Sequence, residues 1–406
     1  MKNPLNDMMF NHLKSMPDDP ILGLMAAYRQ DTRDNKVDLG VGVYQDDQGK
    51  TPVMRAVQQA EARLIVQQST KAYQGVAGDA DYNRLVLELL LGQQHQALTE
   101  GRACSIQTPG GSGGLRIGAE VIRRANPDAR LWLGVPSWPN HIPLLSSSGF
   151  QIEQYTYYDT TRHHIDFDKM FDTLKQVSPG DIVLLHGCCH NPTGADLNHQ
   201  QWQQITELAL DRGFIPFIDI AYQGLGDGLD EDASGLRLMA AQLPEVIIAS
   251  SCSKNFGLYR ERTGSTTFIC NQAQQTPVVL SQAMAIARQT YSMPPAHGAL
   301  LVAMILGDAA MKAVWESEVS EVRQRIQAMR ILLTERIANN AHGLDFSHIN
   351  RQKGMFSFLG VSHEQLTRLR EDFGIYIVDS TRINLAGINT NNIDYLAGSI
   401  LNVLSA

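Results

Sequence analysis

The sequence predicts an α/β fold, with a mostly parallel sheet that carries helices on both of its faces. Short apolar runs with the pattern of buried strands alternate along the chain with amphipathic segments typical of helices. Polar residues follow several of the apolar runs, which is where open α/β sheets place their ligands. At 406 residues the chain is too long for one ordinary core, so we expect two domains.

The first part of the chain is predicted to contain helix and loops, one strand and two further helices. Residues 1–36 are expected to form a helix and loops, and residues 37–44 a short strand interrupted by glycines. Residues 52–68 have a helical period, with Val53, Ala56, Ala60 and Leu64 on one face. A further apolar-periodic helix is predicted at residues 115–124, after a glycine-rich turn.

The remainder of the chain continues the alternation of strands and helices. The predicted strands of the main sheet are residues 130–135, 181–185, 214–218, 246–249 and 264–270. Helical patterns span residues 201–212 and 311–339, and the second is long enough to join two domains. Residues 354–360 and 373–378 are predicted to be strands of a smaller α/β domain.

Composition excludes several classes of protein. The net charge of −8 and the pI of about 5.8 are not those of a basic nucleic-acid-binding protein. No apolar run approaches the roughly 18 residues of a membrane span. The first seven residues lack the apolar core of a signal peptide. Five cysteines without a paired framework fit a reducing compartment, so we expect a cytoplasmic protein.

One lysine, Lys254, lies among small polar residues just after the apolar run at 246–249. Taken alone it would be a solvated loop lysine, but Asp219 and Tyr222 follow another apolar run, and Arg262 comes soon after. Burial at a strand end lowers the pKa of a lysine and makes its amine a nucleophile. These residue types suit a phosphorylated aldehyde cofactor, which a lysine holds as a Schiff base while an acid pairs with its pyridinium nitrogen.

The glycine-rich turn at residues 107–116 precedes a predicted helix. Glycines allow several backbone N–H groups to point toward one place, and a helix N-terminus adds partial positive charge, so a phosphate is favoured there. Such a turn is weak evidence alone. Together with Ser251 and Arg262 it predicts a site for one phosphate dianion.

The run His186-Gly187-Cys188-Cys189-His190 raises the possibility of a zinc site. Adjacent cysteines on extended backbone point to opposite faces, and no second pair of ligands lies at the usual spacing. We therefore predict no metal here. Asn191, which follows, is the better candidate, since its amide can donate to an oxygen of a bound cofactor.

The segments 251–257, 190–194 and 219–224 closely resemble the aspartate/aromatic aminotransferases, which are class I, fold type I pyridoxal-phosphate enzymes. The resemblance runs from about Asp19 to Asn384, with its motifs in the same order, and is of the bacterial type. It implies pyridoxal 5'-phosphate as cofactor and a homodimer with shared active sites. It also implies a seven-stranded large domain at 48–322 and a small domain built from both chain ends, 1–47 with 323–406.

The resemblance further implies roles for individual residues. Catalysis is assigned to Lys254, Asp219 and Tyr222, and the freed lysine amine moves the α-proton of the substrate. Cofactor contacts are assigned to Gly111, Ser112, Trp138, Asn191, Asp219, Tyr222, Ser251, Ser253, Lys254, Arg262 and, from the neighbouring subunit, Tyr73. Substrate contacts are assigned to Gly42, Trp138, Asn191, Arg288 and Arg382. From the residues alone, Tyr73 is a surface aromatic and Arg288 a helix-surface charge.

The resemblance leaves the substrate open between aspartate and aromatic amino acids, with 2-oxoglutarate as the amino acceptor. Val43, Lys50, Thr51 and the segment 138–141 resemble the aspartate type, whereas Gln45, Ala72, Ser112 and Met293 depart from it. Ala72 and Ser112 lean toward the aromatic type, so we expect dual specificity. The alternatives are an aminotransferase that prefers aromatic amino acids and has little aspartate activity, a β-lyase or decarboxylase on the same fold, and a catalytically silent binding protein. The paired arginines disfavour the lyase, and the retained Lys254 and Asp219 disfavour the silent protein.

Overall fold

The computed structural model describes residues 8–16, 20–339 and 345–405. The first seven residues, which carried the argument against a signal peptide, lie outside the described residues, as does Asp19, where the family resemblance begins.

The elements are numbered in chain order. The helices are α1 (Pro20–Gln30), α2 (Arg55–Gln67), α3 (Ala80–Leu91), α4 (Gln96–Thr99), α5 (Gly110–Ala125), α6 (His141–Ser147), α7 (Phe167–Leu174), α8 (His199–Arg212), α9 (Ser234–Gln242), α10 (Thr276–Thr290), α11 (Ala296–Gly307), α12 (Ala309–Ala338), α13 (His348–Arg351), α14 (His363–Glu371) and α15 (Ile393–Leu404). The strands are β1 (Val37–Asp38), β2 (Ala103–Pro109), β3 (Leu131–Val135), β4 (Ile152–Thr156), β5 (Tyr158–Asp159), β6 (His164–Ile165), β7 (Ile182–His186), β8 (Ile215–Ile220), β9 (Val246–Ser251), β10 (Thr263–Ile269), β11 (Phe356–Phe358), β12 (Ile375–Tyr376) and β13 (Arg382–Asn384).

A seven-stranded sheet forms the centre of the larger part, in the order β2-β10-β9-β8-β7-β3-β4. All neighbouring pairs are parallel except those of β10, which runs antiparallel to β2 and β9. This confirms the predicted mostly parallel sheet. The segment between β9 and β10 contains turns and no helix, so β10 returns directly alongside β9 instead of crossing over the sheet.

Helices cover both faces of the sheet, as the sequence predicts. Along β7, Ile182 and Leu184 belong to the apolar cluster under α5, α6 and α10. Val183 and Leu185 belong to the cluster on the opposite face. This alternation is that of a strand buried on both sides, and it explains why each strand of the sheet was visible as a short continuous apolar run.

The smaller part of the molecule combines segments from both ends of the chain. Strand β1 pairs in parallel with β12, and β11 pairs antiparallel with β13. The long helix α12 reaches from the larger part into this region. There the guanidinium of Arg330 donates to the backbone oxygens of Ile349, Gly354 and Phe356. The predicted domain boundary at 322–323 falls inside α12, and the division of the chain into domains stays a prediction.

Several predicted element bounds are wrong. The predicted strand at 37–44 ends at Asp38, because the Asp38 carboxylate accepts the backbone N–H groups of Gly40 and Val41 and turns the chain. Helix α2 begins at Arg55 and not at Pro52, so Val53 precedes it and is exposed. Helix α5 begins within the glycine run, at Gly110. The two strands predicted at 354–360 and 373–378 are shorter.

By length and composition, no single helix among the described residues passes as a membrane span. The bent pair Ala296–Gly307 and Ala309–Ala338, with 103° between them, passes only when taken together.

Candidate active site

A cavity of about 220 Å³ opens at the carboxyl edge of the sheet, around the ends of β2, β3, β7, β8 and β9. Ten of the sequence-predicted site residues line it, and these are Gly111, Ser112, Trp138, Asn191, Asp219, Tyr222, Ser251, Ser253, Lys254 and Arg262. Segments separated by more than a hundred residues therefore meet in one place because parallel strands end at the same edge of a sheet.

Lys254 stands in the turn that follows β9, with its amine inside the cavity. Burial lowers the pKa of Lys254 to about 8, although the Asp219 carboxylate opposes this shift, and Arg262 and Arg382 add to it. The Nζ atom lies 5.0 Å from the centre of the Tyr222 ring. An amine with a pKa of about 8 is neutral in about a tenth of molecules at pH 7, far more than an ordinary lysine, and the neutral form is what a nucleophile or a general base requires.

Asp219, near the end of β8, is held by a chain of buried polar groups. His141 Nε2 and Asp219 Oδ2 are 3.0 Å apart, and the His141 side chain is fully buried. Ser137 Oγ lies 2.8 Å from His141 Nδ1 and 3.0 Å from His186 Nε2. Burial alone would raise the pKa of Asp219, but the contact with His141 and nearby positive charge outweigh it, so the pKa is lowered. The carboxylate is thus kept ionised in the floor of the cavity.

The opposite end of the cavity is a cradle for an anion. Helix α5 begins there at Gly110, whose φ of +71° favours glycine. A Cβ atom at Gly110 would lie 2.5 Å from Arg262 Nη2, so the guanidinium approaches the backbone closely. Ser251 lies next to Gly111, and a Cβ there would be 3.2 Å from Ser251 Cβ. A helix N-terminus flanked by hydroxyls and a guanidinium is the chemistry that binds phosphate.

Arg382 approaches the cavity from the smaller part of the molecule. Its guanidinium donates to Asn191 Oδ1 at 3.2 Å and to the backbone oxygen of Gly40 at 2.6 Å, and it lies over the Phe356 ring at 4.2 Å. The residue is 4% exposed, and its Nε atom has no hydrogen-bond partner. Both acceptors are uncharged. A buried guanidinium that is bonded only to neutral oxygens retains capacity for a carboxylate.

Asn191 and Tyr222 complete the wall between Lys254 and Arg382. Asn191 Nδ2 donates to Tyr222 Oη at 3.5 Å. Burial raises the pKa of Tyr222, so its hydroxyl keeps its proton at neutral pH. Two hydrogen-bonding groups therefore face the same region of the cavity, where they can hold a single oxygen of a ligand.

Besides Arg382, three predicted residues do not line this cavity. Tyr73 is 96% exposed, and Arg288, also exposed, donates to Ser292 Oγ. Gly42 packs against Phe356, since a Cβ at Gly42 would lie 2.9 Å from the Phe356 ring. The first two residues were assigned to a neighbouring subunit, so their absence from this chain's own cavity agrees with that assignment without testing it.

The backbone at Cys188 and Cys189 is not extended, contrary to the prediction. Cys189 has a φ of 48°, and the ligand atoms of both cysteines and Asp232 lie within 4.8 Å of one another. The Asp232 carboxylate accepts backbone N–H groups from the turn at 224–227, which engages both of its oxygens. That these cysteines hold no metal stays a prediction.

Sequence reasoning missed some of the residues around the site. His186 and Cys188 line the cavity but were considered only as metal ligands. His186 lies opposite Asp219 in the register of the parallel strands β7 and β8, so its position at a strand end was a usable signal. Phe356, which supports Arg382, comes from β11 in the smaller part, and no local pattern connects it to this cavity.

Comparison with known proteins gives a consistent result. Residues 34–400 match the family model described as aminotransferase class I and II. The chain is 47% identical to an aspartate aminotransferase of Haemophilus influenzae, covering 98% of this chain and 100% of the relative. It is 45% identical to an aromatic-amino-acid aminotransferase of Pseudomonas aeruginosa, covering 97% and 98%.

The fold is likewise that of solved relatives. The crystal structure of the aromatic-amino-acid aminotransferase from Burkholderia pseudomallei, covalently bound to pyridoxal phosphate, superposes with a TM-score of 0.96. It is 44% identical to this chain, and the match covers 98% of this chain and 100% of that one. The matched length, the identity and the shared fold together show that the chain belongs to the aminotransferase class I and II family.

Proposed function

We propose that this protein is a pyridoxal-phosphate-dependent aminotransferase, which transfers an amino group between an L-amino acid and 2-oxoglutarate. The observation that carries the proposal is the single cavity that brings the Lys254 amine and the Asp219 carboxylate to one end and an anion cradle to the other. The relatives named as aminotransferases at 47% and 45% identity support the same reaction.

The residues around the cavity fit this cofactor. The α5 N-terminus with Ser112, Ser251, Ser253 and Arg262 supplies the donors that a phosphate dianion requires. At the other end, the ionised Asp219 matches a protonated pyridine nitrogen, and Trp138 supplies a flat apolar face for the ring. Asn191 and Tyr222 can donate to a phenolic oxygen. In this assignment Tyr73 of a second copy of the chain adds a further contact to the phosphate.

The bound cofactor supplies an electron sink for the bond between the α-carbon and its hydrogen. The chain's own contribution is to place a base beside that hydrogen. Lys254 takes the proton at Nζ, for which it must first be neutral, and its lowered pKa of about 8 makes this form more accessible at neutral pH than in an ordinary lysine. The contact with His141 keeps Asp219 negatively charged. This charge would keep the pyridine nitrogen of the cofactor protonated.

Arg382 holds the α-carboxylate of the substrate in this proposal. Its planar fork can form two parallel hydrogen bonds with a carboxylate, which a lysine could not reproduce. Arg288 of the second copy would bind the distal carboxylate of a dicarboxylic substrate, and the backbone at Gly42 would close over the bound molecule. The unpaired Nε of Arg382 supports an anion at this position.

We further propose that both aspartate and aromatic amino acids are substrates. Relatives named for either activity have similar identity to this chain, 47% for an aspartate enzyme and 45% for an aromatic one. In this proposal the apolar Ala72 weakens the polar surroundings that would fix Arg288 in one position. Arg288 can then turn away when the substrate carries an uncharged ring. This movement avoids burying the guanidinium charge without a partner.

The test is a comparison of kcat/KM for aspartate and for phenylalanine with 2-oxoglutarate, together with the absorbance of the bound cofactor. We expect measurable turnover with both donors and none with Lys254→Ala, which should still bind the cofactor through its phosphate. A phenylalanine value at background would contradict dual specificity alone. Full transamination by Lys254→Ala would contradict the assignment of the site.

We also propose a cytoplasmic homodimer. All five cysteines are free, as expected in a reducing compartment. The N-terminal segment and the region before Tyr73 expose large apolar side chains, among them Met9, Phe10, Ile65 and Val66. Such side chains support an interface between two copies of the chain.

A further inference from the structure

Helix α12 presents a row of side chains that donate to backbone oxygens of the loops around the cavity. Trp315 Nε1 donates to the oxygen of Asn255 at 2.7 Å. Arg323 Nη1 donates to the oxygen of Gly224 at 2.9 Å, and Gln327 Nε2 donates to that of Gly226 at 3.0 Å. Positions 315, 323 and 327 are spaced by multiples of four residues, so they follow one face of the helix.

Of these three donors, Trp315 is the one that contacts the loop carrying Lys254. Its acceptor, Asn255, is the residue after Lys254, and its ring stacks on Phe256 with centres 4.4 Å apart and planes 10° apart. Trp315 is 0% exposed and does not line the cavity. The indole thus fixes both residues that follow the lysine. A buried carbonyl left without its donor would be costly, so this loop position depends on the indole.

Arg323 and Gln327 hold the loop that follows Tyr222 in the same way. Val319, between Trp315 and Arg323 on the helix, packs on Gly224 so closely that a Cβ there would lie 2.6 Å from Val319 Cγ1. One continuous helix therefore contacts the loop of Lys254 and the loop of Tyr222. The two loops bring their side chains together, with Lys254 Nζ 5.0 Å from the centre of the Tyr222 ring.

We propose that Trp315 is a positioning residue for Lys254, and that the donor row of α12 sets the placement of Lys254 relative to Tyr222 through main-chain oxygens. The inference rests on the proposed role of Lys254 as the base. It adds that the position of this base depends on a helix that does not line the cavity holding the cofactor. Correct placement of a reacting group within a fraction of an ångström accounts for a large share of catalytic rate.

Trp315→Phe is the informative variant, because it keeps a ring on Phe256 and removes the N–H donor. Trp132→Phe is the matched control. Trp132 is also buried, and its Nε1 donates to Asp181 Oδ2 at 3.1 Å in a part of β3 remote from Lys254. Each change removes one buried hydrogen bond donated by an indole N–H, so both should lower the melting temperature. Only Trp315→Phe should change the pKa of Lys254.

The first measurement uses cofactor-free protein and does not depend on turnover. The rate at which an amine reagent labels Lys254 is followed against pH by peptide mass spectrometry. The midpoint pH, at which the labelling rate reaches half of its maximum, should be at least about half a pH unit higher for Trp315→Phe than for wild type. We expect this because a loosened loop admits water and relieves the desolvation that lowers the pKa of Lys254. Trp132→Phe should keep the wild-type midpoint.

The second measurement is steady-state kinetics of the cofactor-loaded enzyme. For Trp315→Phe we expect kcat to fall about tenfold with KM within about twofold, the pattern of a misplaced base with intact substrate binding. An unchanged midpoint and a kcat equal to that of Trp132→Phe would overturn the proposal. Absence of transamination in wild type would instead refute the proposed function, while the labelling experiment would still decide whether Trp315 positions Lys254.

Gln327→Leu tests the same row from the side of Tyr222, and it decides the matter if Trp315→Phe does not fold. The change removes the side-chain amide that donates to the backbone oxygen of Gly226, and Gln327 does not line the cavity. We expect a fall in kcat of at least about threefold and a change in the absorbance spectrum of bound cofactor. A folded Gln327→Leu enzyme with wild-type kcat and spectrum would contradict a positioning role for the row.

Discussion

Lys254 is held where its positive charge is unfavourable. Burial lowers its pKa to about 8, against about 10.4 for a lysine in an unfolded chain. Because the folded value is the lower one, the unfolded state binds the proton more tightly. The resulting loss of stability is complete below pH 8 and disappears as the pH rises past the unfolded value.

Replacing Lys254 with methionine should therefore stabilise the cofactor-free protein at neutral pH. We expect a gain of about 2 kcal/mol in the free energy of unfolding at pH 7, discounted for the partial exposure of the side chain, and almost none at pH 10.5. Urea unfolding at both values measures it. The exposed Lys50→Met is the control and should change little. A Lys254→Met protein less stable than wild type at pH 7 would disprove the account.

At the scale of residues, the sequence predicted the part of the site that lies at strand ends. Lys254, Asp219 and Ser251 follow or close apolar runs, so the rule that ligands bind at the carboxyl ends of parallel strands located them. The contacts of Ser137 with His141 and His186 depend on strand order and register, which short apolar runs do not specify.

At the scale of elements, the start of α2 shows why predicted bounds were less accurate than predicted types. Its N-cap residue, Met54, has no side-chain cap. The free N–H groups of Arg55 and Ala56 are instead accepted by the Glu318 carboxylate of α12, at 2.6 and 2.9 Å. A cap from 263 positions away along the chain leaves no local pattern, so periodicity alone predicted a helix that began too early, at Pro52.

Glu318→Gln should destabilise the protein by about 1 kcal/mol, because the amide can accept at only one oxygen and lacks the charge that favours a helix N-terminus. The matched control is Glu321→Gln. Glu321 forms an ion pair with the same Arg55 at 2.9 Å, but both side chains are exposed, so its loss should cost less than about 0.5 kcal/mol. Denaturant unfolding of the two variants measures the difference. Equal effects would show that the buried carboxylate is not a helix cap.

At the scale of the whole molecule, two of the residues assigned to the site lie apart from the cavity of their own chain. Tyr73 and Arg288 are exposed and lie outside the cavity that ten of the other assigned residues line. Their roles were implied by family resemblance, since composition and periodicity within one chain carry no information on which residues serve a neighbour. If each site takes its lysine from one subunit and Arg288 from the other, subunits with different defects can complement one another.

Mixing two inactive variants tests this arrangement. In a heterodimer of Lys254→Ala and Arg288→Ala subunits, one site would carry both defects, and the other would combine an intact lysine with an intact arginine. Random reassociation makes about half of the dimers heterodimers by simple statistics, so about a quarter of wild-type aspartate activity should return after unfolding and refolding together. Separately refolded variants are the control and should stay inactive. If Arg288 served the site of its own chain, each site in the heterodimer would carry one defect, and no activity would return.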